Sequence, residues 1–370
     1  MVIKRFKAEN FRNIENCDIE FSPGVNILYG KNAQGKTNVV EGIYLFSRGR
    51  SFRTSEDREL VKFGKEGFRI SIEYEGKDTE GILEYALFGR ERRRIKNGYK
   101  VSKITELLGS FRSVLFYPDD LSLVKDGPEE RRGFLNIAAS QCYPAYMKIY
   151  GEYKNVLDQR NALLKLIQKG GVISDDELLS WSETMADHAA EIYVLRRDYI
   201  GRLKGHLKDS MLKISEGKEE LTVKYKSNID EGKESLDISH IKSEYKRIFK
   251  ENIEREKCAG VTLYGPHRDD IEFLINGKSA RLYASQGQQR SVVLALKLAE
   301  GEVNHEIWGD YPVYLFDDVL SELDEKRREF VTKGVKDKQI IITTCEREKA
   351  DFEDAKVIEV LGGSYVSSYR

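Results

Sequence analysis

Eight consecutive residues near the N-terminus have the types and spacing of a phosphate-binding loop. The segment Gly30-Lys31-Asn32-Ala33-Gln34-Gly35-Lys36-Thr37 follows the pattern G-x-x-x-x-G-K-T, in which glycines let backbone N–H groups surround an anion. In this pattern the side chain of Lys36 reaches the β and γ phosphates, and the hydroxyl of Thr37 binds Mg²⁺. All residues of the loop are therefore predicted nucleotide ligands, and Lys36 is also a predicted catalytic residue.

The segments on both sides of this loop have the pattern that a phosphate loop requires. The apolar run Val25 to Tyr29 predicts a strand before the loop, and the stretch Thr37 to Phe46 predicts a helix after it. The N-terminus of that helix would face the anion with its free N–H groups. The alternative, a simple glycine turn, would not require a strand before it or a helix after it.

Two acids follow an apolar run late in the chain, in Val313-Tyr314-Leu315-Phe316-Asp317-Asp318. Mg²⁺ that bridges two phosphates prefers at least one hard oxygen ligand from the protein, which predicts Asp317 as a metal ligand together with Thr37. Asp318 would orient or deprotonate the attacking water, so it is the second predicted catalytic residue. Two acids alone are more typical of a solvated strand end, and their functional interpretation depends on the phosphate loop.

A second anion site is indicated by Ser285-Gln286-Gly287-Gln288-Gln289-Arg290, which stands directly before an apolar helix. This segment offers a hydroxyl, a glycine backbone and a helix N-terminus, each of which favours an anion. By itself the segment is more typical of an ordinary helix cap.

In chain order the phosphate loop, the S-x-G-x-Q segment, the strand ending in two acids and Ser321-Glu322-Leu323-Asp324 resemble the motif set of ABC-type ATPases. The resemblance implies an α/β ABC-type ATPase head with a split P-loop domain, in which two protomers sandwich two ATP molecules. It implies that the following residues face the partner's nucleotide: Ser285, Gly287 and Gln288 or Gln289. ABC enzymes usually have Glu where Asp318 stands, and the shorter side chain predicts slow hydrolysis. The strand end Thr343-Thr344-Cys345 lacks their switch histidine.

Longer segments narrow the resemblance to the RecF family, bacterial recombination mediators related to the heads of SMC proteins. The matching segments are Gly30 to Thr54, Phe116 to Arg132, Tyr264 to Asp270 and Asp317 to Asp324. The resemblance implies a slow, DNA-dependent ATPase that forms a homodimer on ATP and binds gapped, duplex and single-stranded DNA. It further implies that the protein helps RecR and RecO to load RecA in recombinational repair and replication restart, in the cytoplasm and associated with the nucleoid.

Three positions add detail to this family resemblance. Phe11-Arg12-Asn13 resembles the segment that reaches the nucleotide in SMC-type heads, which implies Arg12 as a phosphate or base contact; a surface arginine is the alternative. Asp126 stands where the family pattern has glycine, and Asn136 stands where it has an acid. These two departures concern the loop that Pro118 begins and leave the nucleotide motifs unchanged.

Hydrophobic periodicity divides the chain into three segments. Residues 1–120 alternate short apolar runs with turn signals, including Asn97-Gly98, which predicts a hairpin. Residues 121–260 have helical periodicity, and Gly170-Gly171 with the capping sequence Ser174 to Glu177 separates two helices of roughly 25 to 35 residues. Residues 261–370 begin with the predicted strand Ile271 to Ile275 and have the strand and helix spacing of a largely parallel sheet. The predicted fold is therefore one split α/β ATPase domain, residues 1–120 and 261–370, with a helical arm inserted at 121–260.

The charge balance gives no general attraction for polyanions, because 61 Lys and Arg stand against 62 Asp and Glu in 370 residues. DNA must then bind to a local patch, and the segment 88–103, here called the basic hairpin, offers seven bases and one acid. These bases are Arg90, Arg92, Arg93, Arg94, Lys96, Lys100 and Lys103, and the acid is Glu91. The alternative is a solvated hairpin. Arg48, Arg50 and Arg53 form a second candidate patch, and the alternative for these three is that they stabilise the dimer or the nucleotide-bound state.

No apolar run approaches the length of a membrane-spanning helix, which predicts a protein without a membrane partner. The four cysteines lie far apart in sequence, which favours a reduced, cytosolic protein without a zinc site.

Two other functions use similar motifs. The ATP-hydrolysing module of a transporter complex shares the motif order, but the helical insertion and the absence of a switch histidine argue against it. A metabolic P-loop kinase would need a small acceptor, which nothing in the sequence specifies.

Overall fold

The computed structural model describes residues 1–229, 237–320, 323–334, 338–345, 354–362 and 364–369, and its contacts divide the chain into two compact units. Unit 1 comprises Met1–Val124, His206–Glu220 and Ala284–Arg370. Unit 2 comprises Lys125–Gly205 and Leu221–Tyr283. Each unit therefore combines segments that are distant in sequence.

The secondary structure of the described residues alternates between strands and helices along the chain. The strands are β1 (Val2–Phe11), β2 (Ile14–Glu20), β3 (Val25–Tyr29), β4 (Gly67–Glu75), β5 (Glu80–Phe88), β6 (Glu91–Lys96), β7 (Tyr99–Lys100), β8 (Ser113–Phe116), β9 (Leu221–Lys226), β10 (Asp270–Ile275), β11 (Lys278–Ser279), β12 (Val313–Asp317), β13 (Ile340–Thr344), β14 (Lys356–Leu361) and β15 (Ser364–Tyr369). The helices are α1 (Lys36–Arg48), α2 (Ser122–Lys125), α3 (Pro128–Cys142), α4 (Tyr146–Gln168), α5 (Asp175–Ile214), α6 (Ile238–Glu251), α7 (Ile253–Ala259), α8 (Ala280–Tyr283), α9 (Gln286–Trp308) and α10 (Glu325–Gly334). Short 3₁₀ turns cover Asp57–Leu60, Ile104–Glu106 and Pro118–Leu121.

A mainly parallel sheet of unit 1 has the strand order β15-β14-β3-β13-β12-β8. Strands β14, β3, β13, β12 and β8 pair in parallel, and β15 pairs with β14 in the antiparallel direction. The apolar runs of β12 and β13 are buried along their whole length, as expected of central parallel strands. The predicted largely parallel sheet is confirmed.

A second sheet of unit 1 is antiparallel, with the order β2-β1-β4-β5-β6-β7. Strand β1 buries side chains such as Phe6 and Phe11 on one face, and its charged residues lie on the other. The predicted turn at Asn97-Gly98 connects β6 to β7, and both residues have positive φ, 51° and 83°, as a type I′ turn requires. The hairpin is therefore confirmed.

Helix α1 packs into a core cluster that joins both sheets of unit 1. Val40 belongs to the same buried cluster as Phe6 of β1 and Ile341 of β13. Gly42 is needed where α1 meets β1, because a Cβ atom there would come within 2.7 Å of the Phe6 ring. Complete burial of one such apolar side chain stabilises the fold by roughly 1.5–3 kcal/mol. The helix that follows the phosphate loop is therefore stably packed in the core.

Helix α4 and most of α5, the predicted pair of long helices, belong to unit 2, and residues 206–214 of α5 belong to unit 1. Helix α4 has 23 residues and α5 has 40, so α4 is shorter and α5 longer than the sequence pattern predicted. The capping sequence is confirmed at the start of α5, where Ser174 Oγ accepts a hydrogen bond from the Glu177 N–H at 3.2 Å. Tyr153 of α4 and Met185 of α5 are fully buried in one cluster.

One part of the sequence interpretation was wrong. Strand β9 lies within the region that was predicted to be entirely helical, and it pairs antiparallel with β10 from Leu221↔Ile275 to Lys226↔Asp270. The predicted strand Ile271 to Ile275 therefore belongs to the three-stranded sheet β11-β10-β9 of unit 2 and not to the parallel sheet. Sequence periodicity cannot distinguish these outcomes, because it indicates a strand without indicating its partner.

The three-segment domain division at residues 120 and 260 stays a prediction, because compactness alone does not show which segment is inserted into which.

None of the described helices is both long and apolar enough to cross a membrane.

Candidate nucleotide-binding and hydrolysis site

The parallel sheet brings the predicted nucleotide motifs to one edge. The phosphate loop follows β3, Asp317 ends β12, and Thr343 and Thr344 end β13. The register pairs Asp317 with Thr343 and Thr344 with Tyr29, so the carboxyl ends of these neighbouring strands are level. Ligands of open α/β sheets bind at such an edge.

The phosphate loop adopts a conformation that depends on its glycines. Gly35 has φ 110° and begins α1, a conformation that a residue with a Cβ atom rarely adopts. A Cβ atom on Gly30 would overlap the carbonyl oxygen of Val360 in β14. No side chain caps α1 at its described N-terminus, so its first N–H groups are available to an anion.

The ammonium group of Lys36 is held inside the loop. Nζ donates hydrogen bonds to the carbonyl oxygens of Gly30 at 2.6 Å and Lys31 at 2.8 Å. Burial lowers the pKa of Lys36, and the nearby Cys345, Asp318 and Asp317 oppose this shift. The cation is thus positioned at the loop, where an outer phosphate would be its natural partner.

Thr37 and Asp317, the predicted metal ligands, lie in contact. Thr37 Oγ1 donates a hydrogen bond to Asp317 Oδ1 at 2.9 Å. Thr343 Oγ1 donates to the same carboxylate oxygen at 2.7 Å. Burial raises the pKa of Asp317, and the hydrogen bonds from Thr343 and Thr37 oppose the shift. A hydroxyl and a carboxylate at this spacing are hard oxygen donors, so the residues present fit Mg²⁺.

Asp318, the predicted water-orienting residue, has an unusual backbone. Its φ of 54° lies in the left-handed region, which costs a non-glycine residue on the order of 1–3 kcal/mol. The Asp318 N–H donates to Thr343 Oγ1 at 3.0 Å, which helps to hold this conformation. Such strain is typical of functional positions. Thr343 therefore organises both acids, a role that the sequence alone did not assign to it.

Arg12 makes a two-point ion pair with a buried acid that the sequence interpretation missed. Its Nε and Nη2 donate to the two carboxylate oxygens of Glu41 at 3.0 and 2.6 Å, and Glu41 is completely buried in α1. Arg12 Nη1 also donates to the Glu59 carbonyl oxygen at 2.7 Å. Arg12 is thus neither a free surface arginine nor free to bind phosphate without giving up part of this pairing. An acid inside an otherwise apolar helix was the available sequence signal for Glu41.

Ser51 and Arg53 complete the surroundings of Glu41. Ser51 Oγ donates to Glu41 Oε1 at 2.5 Å, and Arg53 Nη1 lies 3.3 Å from Oε2. Arg53 Nη1 also donates to the side-chain oxygen of Asn38 at 2.9 Å, and its charge favours ionised Asp317. Arg53, a candidate for DNA binding in the sequence, therefore lies beside the nucleotide motifs.

The predicted partner-facing segment forms a capped helix start. Ser285 Oγ accepts from the Gln288 N–H at 3.2 Å, and Gln288 Oε1 accepts from the Ser285 N–H at 2.8 Å. Arg327 donates to the Gly287 carbonyl oxygen at 2.9 Å, and Gln289 Nε2 donates to the Ala284 carbonyl oxygen at 3.1 Å. The hydrogen bonds of the described residues do not join this segment to the phosphate loop. The two anion-directed features of unit 1 are therefore separate.

The motif after the two acids is described only in part. Ser321 and Glu322 lie outside the described residues. Asp324 pairs with Arg327 of α10, and its Oδ1 accepts from the Arg327 N–H at 2.9 Å.

The basic hairpin is partly neutralised by neighbouring groups. Arg92 pairs with Asp57 at 2.6 Å, Arg93 pairs with Glu91 at 3.0 Å, and Lys96 donates to Ser110 at 2.7 Å. By contrast, Arg90 is exposed and forms no ion pair within the described part of the chain. Lys100 is 71% exposed and lies 3.9 Å from Glu91.

The departures at residues 126 and 136 have structural explanations in unit 2. Asp126 does not have a positive φ, and its backbone carbonyl accepts from Arg131 at 2.8 Å, so glycine is not required. Asn136 Oδ1 accepts from Tyr146 Oη and from Arg196 Nη2, both at 2.7 Å. An amide oxygen is sufficient at this position, because Arg196 also has Asp269 as an acid 3.6 Å away.

The fold and the grouped motifs define an ABC-type ATPase head. The chain matches the family model for the RecF/RecN/SMC N-terminal domain over residues 2–361. A chain of the Smc head bound to the C-terminal winged-helix domain of ScpA shares the fold, with a TM-score of 0.57 at 16% identity over 100% of this chain and 98% of that one.

Relatives with higher sequence identity show to which family within this class the chain belongs. The chain is 40% identical to the DNA replication and repair protein RecF of Acetivibrio thermocellus, over 98% of this chain and 99% of that protein. It is 36% identical to RecF of Bacillus cereus over 98% of each chain. A solved structure of the recombination mediator RecF with ATP, in the RecFOR pathway, has a TM-score of 0.91 and 34% identity over 99% of this chain and 97% of that one. The chain therefore belongs to the RecF family of DNA replication and repair proteins.

Proposed function

We propose that this chain is an ATP-dependent DNA-binding protein of recombinational repair and replication restart. It dimerises on ATP, binds gapped, duplex or single-stranded DNA, and helps RecR and RecO to load RecA. Family membership and the ATP complex of a RecF relative support this proposal. The observation that carries it is the presence of two separate anion-directed features in unit 1, the phosphate loop and the segment that Ser285 begins. This function implies a cytoplasmic protein associated with the nucleoid.

The phosphate loop supplies the binding part of the nucleotide reaction. Its N–H groups and Lys36 bind the β and γ phosphates of ATP, and Thr37 and Asp317 hold Mg²⁺. Mg²⁺ held there would supply positive charge that offsets the charge of the phosphates. The loop is shaped by Gly30, Lys31, Asn32, Ala33, Gln34 and Gly35. Arg12 contributes indirectly, through its ion pair with Glu41 of α1.

Hydrolysis depends on Asp318. Its carboxylate orients or deprotonates the attacking water, while Thr343 holds its backbone in position. The aspartate reaches less far than a glutamate, which supports a slow ATPase. Slow hydrolysis suits a protein in which ATP holds an assembly together and hydrolysis releases it.

The proposed dimerisation is based on the separation of the phosphate loop from the segment that Ser285 begins. Ser285, Gly287 and Gln289 lie at the N-terminus of α9, where free N–H groups favour an anion. Within one chain this segment forms no hydrogen bond to the described phosphate loop. A second copy would bring its segment to the γ phosphate, so each nucleotide would join two protomers.

DNA binding is assigned to the basic hairpin. Its bases can contact phosphates without reading base sequence, in agreement with a protein that recognises gaps and junctions. Arg90 is exposed without an ion pair in the described part of the chain, and the ion pair of Lys100 with Glu91 is long, at 3.9 Å.

The proposal is tested by measuring the molar mass of the protein in solution with and without ATP, in the presence and absence of duplex and gapped DNA. Lys36→Met should lose ATP binding and ATP-driven association. Ser285→Arg should bind ATP yet stay monomeric, because the added side chain fills the partner-facing segment. Ser243→Arg adds the same charge at an exposed position of unit 2 and should dimerise normally. Normal dimerisation of Ser285→Arg would overturn the sandwich model.

A further inference from the structure

The C-terminal hairpin β14–β15 contacts the phosphate loop at several positions. Val360 of β14 lies so close to Gly30 that no side chain fits between them. The Gly362 N–H donates a hydrogen bond to Gln34 Oε1 at 2.6 Å. The hydroxyl of Tyr365 lies 3.0 Å from the position that a Cβ atom of Gly35 would occupy. The beginning, the middle and the end of the loop therefore each contact the same hairpin.

Gly35 is confined from two directions. Tyr365 contacts it from β15, and Asn13 Oδ1 lies 3.0 Å from the same Cβ position. Asn13 also fixes the preceding turn, because its Nδ2 donates to the Ala33 carbonyl oxygen at 2.8 Å. This confinement matters because Gly35, at φ 110°, determines where α1 and its free N–H groups begin.

The atom of Tyr365 nearest to Gly35 is its hydroxyl oxygen, and it acts there by packing and not by a hydrogen bond. Its hydroxyl is shielded from solvent and has no hydrogen-bond partner among the described residues. A buried hydroxyl without a partner is unfavourable, so this oxygen does not stabilise the fold by hydrogen bonding. Tyr365 packs against the core cluster that contains β1 and α1, which gives the ring a fixed position.

We infer that Tyr365 is a positioning residue of the nucleotide site: its side chain holds Gly35 in the conformation that binds phosphate, so the C-terminal hairpin sets the affinity for ATP. The inference rests on the proposed binding of ATP to the phosphate loop. Without the ring, Gly35 could explore other conformations, and ATP binding would have to restrict them again. Preorganisation of a binding loop raises affinity by avoiding this loss of freedom.

The inference is tested by equilibrium binding of a fluorescent ATP analogue and by steady-state hydrolysis. Tyr365→Ala should raise the Kd and the KM roughly tenfold, the equivalent of about 1.4 kcal/mol, with kcat within about twofold, because Lys36 and Asp318 are unchanged. Tyr365→Phe keeps the ring but loses the oxygen nearest to Gly35, so its Kd should lie between those of the wild type and Tyr365→Ala. Val366→Ala is the matched control, since Val366 is the next residue of β15 and is 59% exposed.

The binding results for the Tyr365 variants and for the wild-type protein test the inference and the proposed function separately. Wild-type affinity in a folded Tyr365→Ala protein would overturn the inference, and so would a Tyr365→Phe protein that binds as weakly as Tyr365→Ala. If the alanine variant does not fold, Tyr365→Leu, which keeps apolar bulk but no planar ring, must still bind ATP at least threefold more weakly, or the inference fails. Failure of the wild-type protein to bind ATP would instead overturn the proposed function.

Discussion

The hydroxyl of Thr343 lies 2.7 Å from Oδ1 of Asp317, and through this contact β13 positions the end of β12 that carries the predicted metal ligand. Thr343 Oγ1 also accepts a hydrogen bond from the Asp318 N–H at 3.0 Å. One side chain therefore holds both acids, which is possible because the parallel register places Thr343 directly beside Asp317.

Replacement of this hydroxyl should separate ATP binding from ATP hydrolysis. Thr343→Val keeps the shape of the side chain but removes the hydrogen bonds to Asp317 and Asp318. Loss of one or two such bonds in the transition state predicts a hydrolysis rate lower by about tenfold or more. ATP affinity should change little, because Lys36 and the loop N–H groups remain. Steady-state hydrolysis and equilibrium binding measure the two effects, and Thr184→Val at an exposed position of α5 is the control.

The acid inside α1 should be essential for stability. Glu41→Ala would leave Arg12 and Arg53 without the carboxylate that both contact. Breaking a buried ion pair from one side costs about 3–5 kcal/mol, and the partial exposure of both arginines places the expected loss near the lower end. Chemical denaturation measures the free energy of unfolding. The exposed ion pair of Glu15 with Lys62 provides a control, and Glu15→Ala should leave stability nearly unchanged.

Stability should depend on pH through Glu300 of α9. Burial raises the pKa of Glu300 to about 7, although Lys297 opposes the shift. A carboxyl group with a higher pKa in the folded state than its ordinary 4.5 keeps its proton longer when folded, so the free energy of unfolding falls as pH rises through this window.

Glu300→Gln has no proton to lose at this position. Its stability relative to the wild type should therefore increase by about 1–3 kcal/mol between pH 5 and pH 8. Asp120, which pairs with Lys297 at 2.8 Å, is present in both proteins, and its negative charge acts with burial to raise the pKa of Glu300. Denaturation curves at several pH values test the prediction, and a constant difference across the range would contradict it.

DNA binding should respond to the exposed cations of the basic hairpin. Replacing both Arg90 and Lys100 with Gln should weaken binding to all DNA sequences alike. If each contacts one phosphate of duplex DNA, the slope of log K against log salt should fall by about 1.8. Replacing Lys4 and Arg5 with Gln removes equal charge from an exposed part of β1, where both residues already pair with acids. An unchanged salt slope in the hairpin variant, or an equal change in the control, would place the DNA site elsewhere.

Local chemistry in the sequence was sufficient to predict the phosphate loop, the acids Asp317 and Asp318 and most strands and helices. The loop is recognisable because its function depends on residue types at fixed short spacing, such as Gly30, Gly35 and Lys36. Strands such as β12 and β13 are recognisable because burial on both faces requires an unbroken apolar run. The turn at Asn97-Gly98 is recognisable because few residues tolerate two positive φ angles.

Only the tertiary structure decided which distant residues meet. Thr343 reaches Asp317 because two strands pair in one register, Glu41 joins Arg12 across two elements, and Tyr365 lies against Gly35 after the chain has returned to β3 through β14. The sequence likewise placed β10 in the parallel sheet, whereas it pairs antiparallel with β9. The physical reason is the same in each case: periodicity reports which side of an element is buried, whereas the partner in a contact depends on the packing of the whole chain.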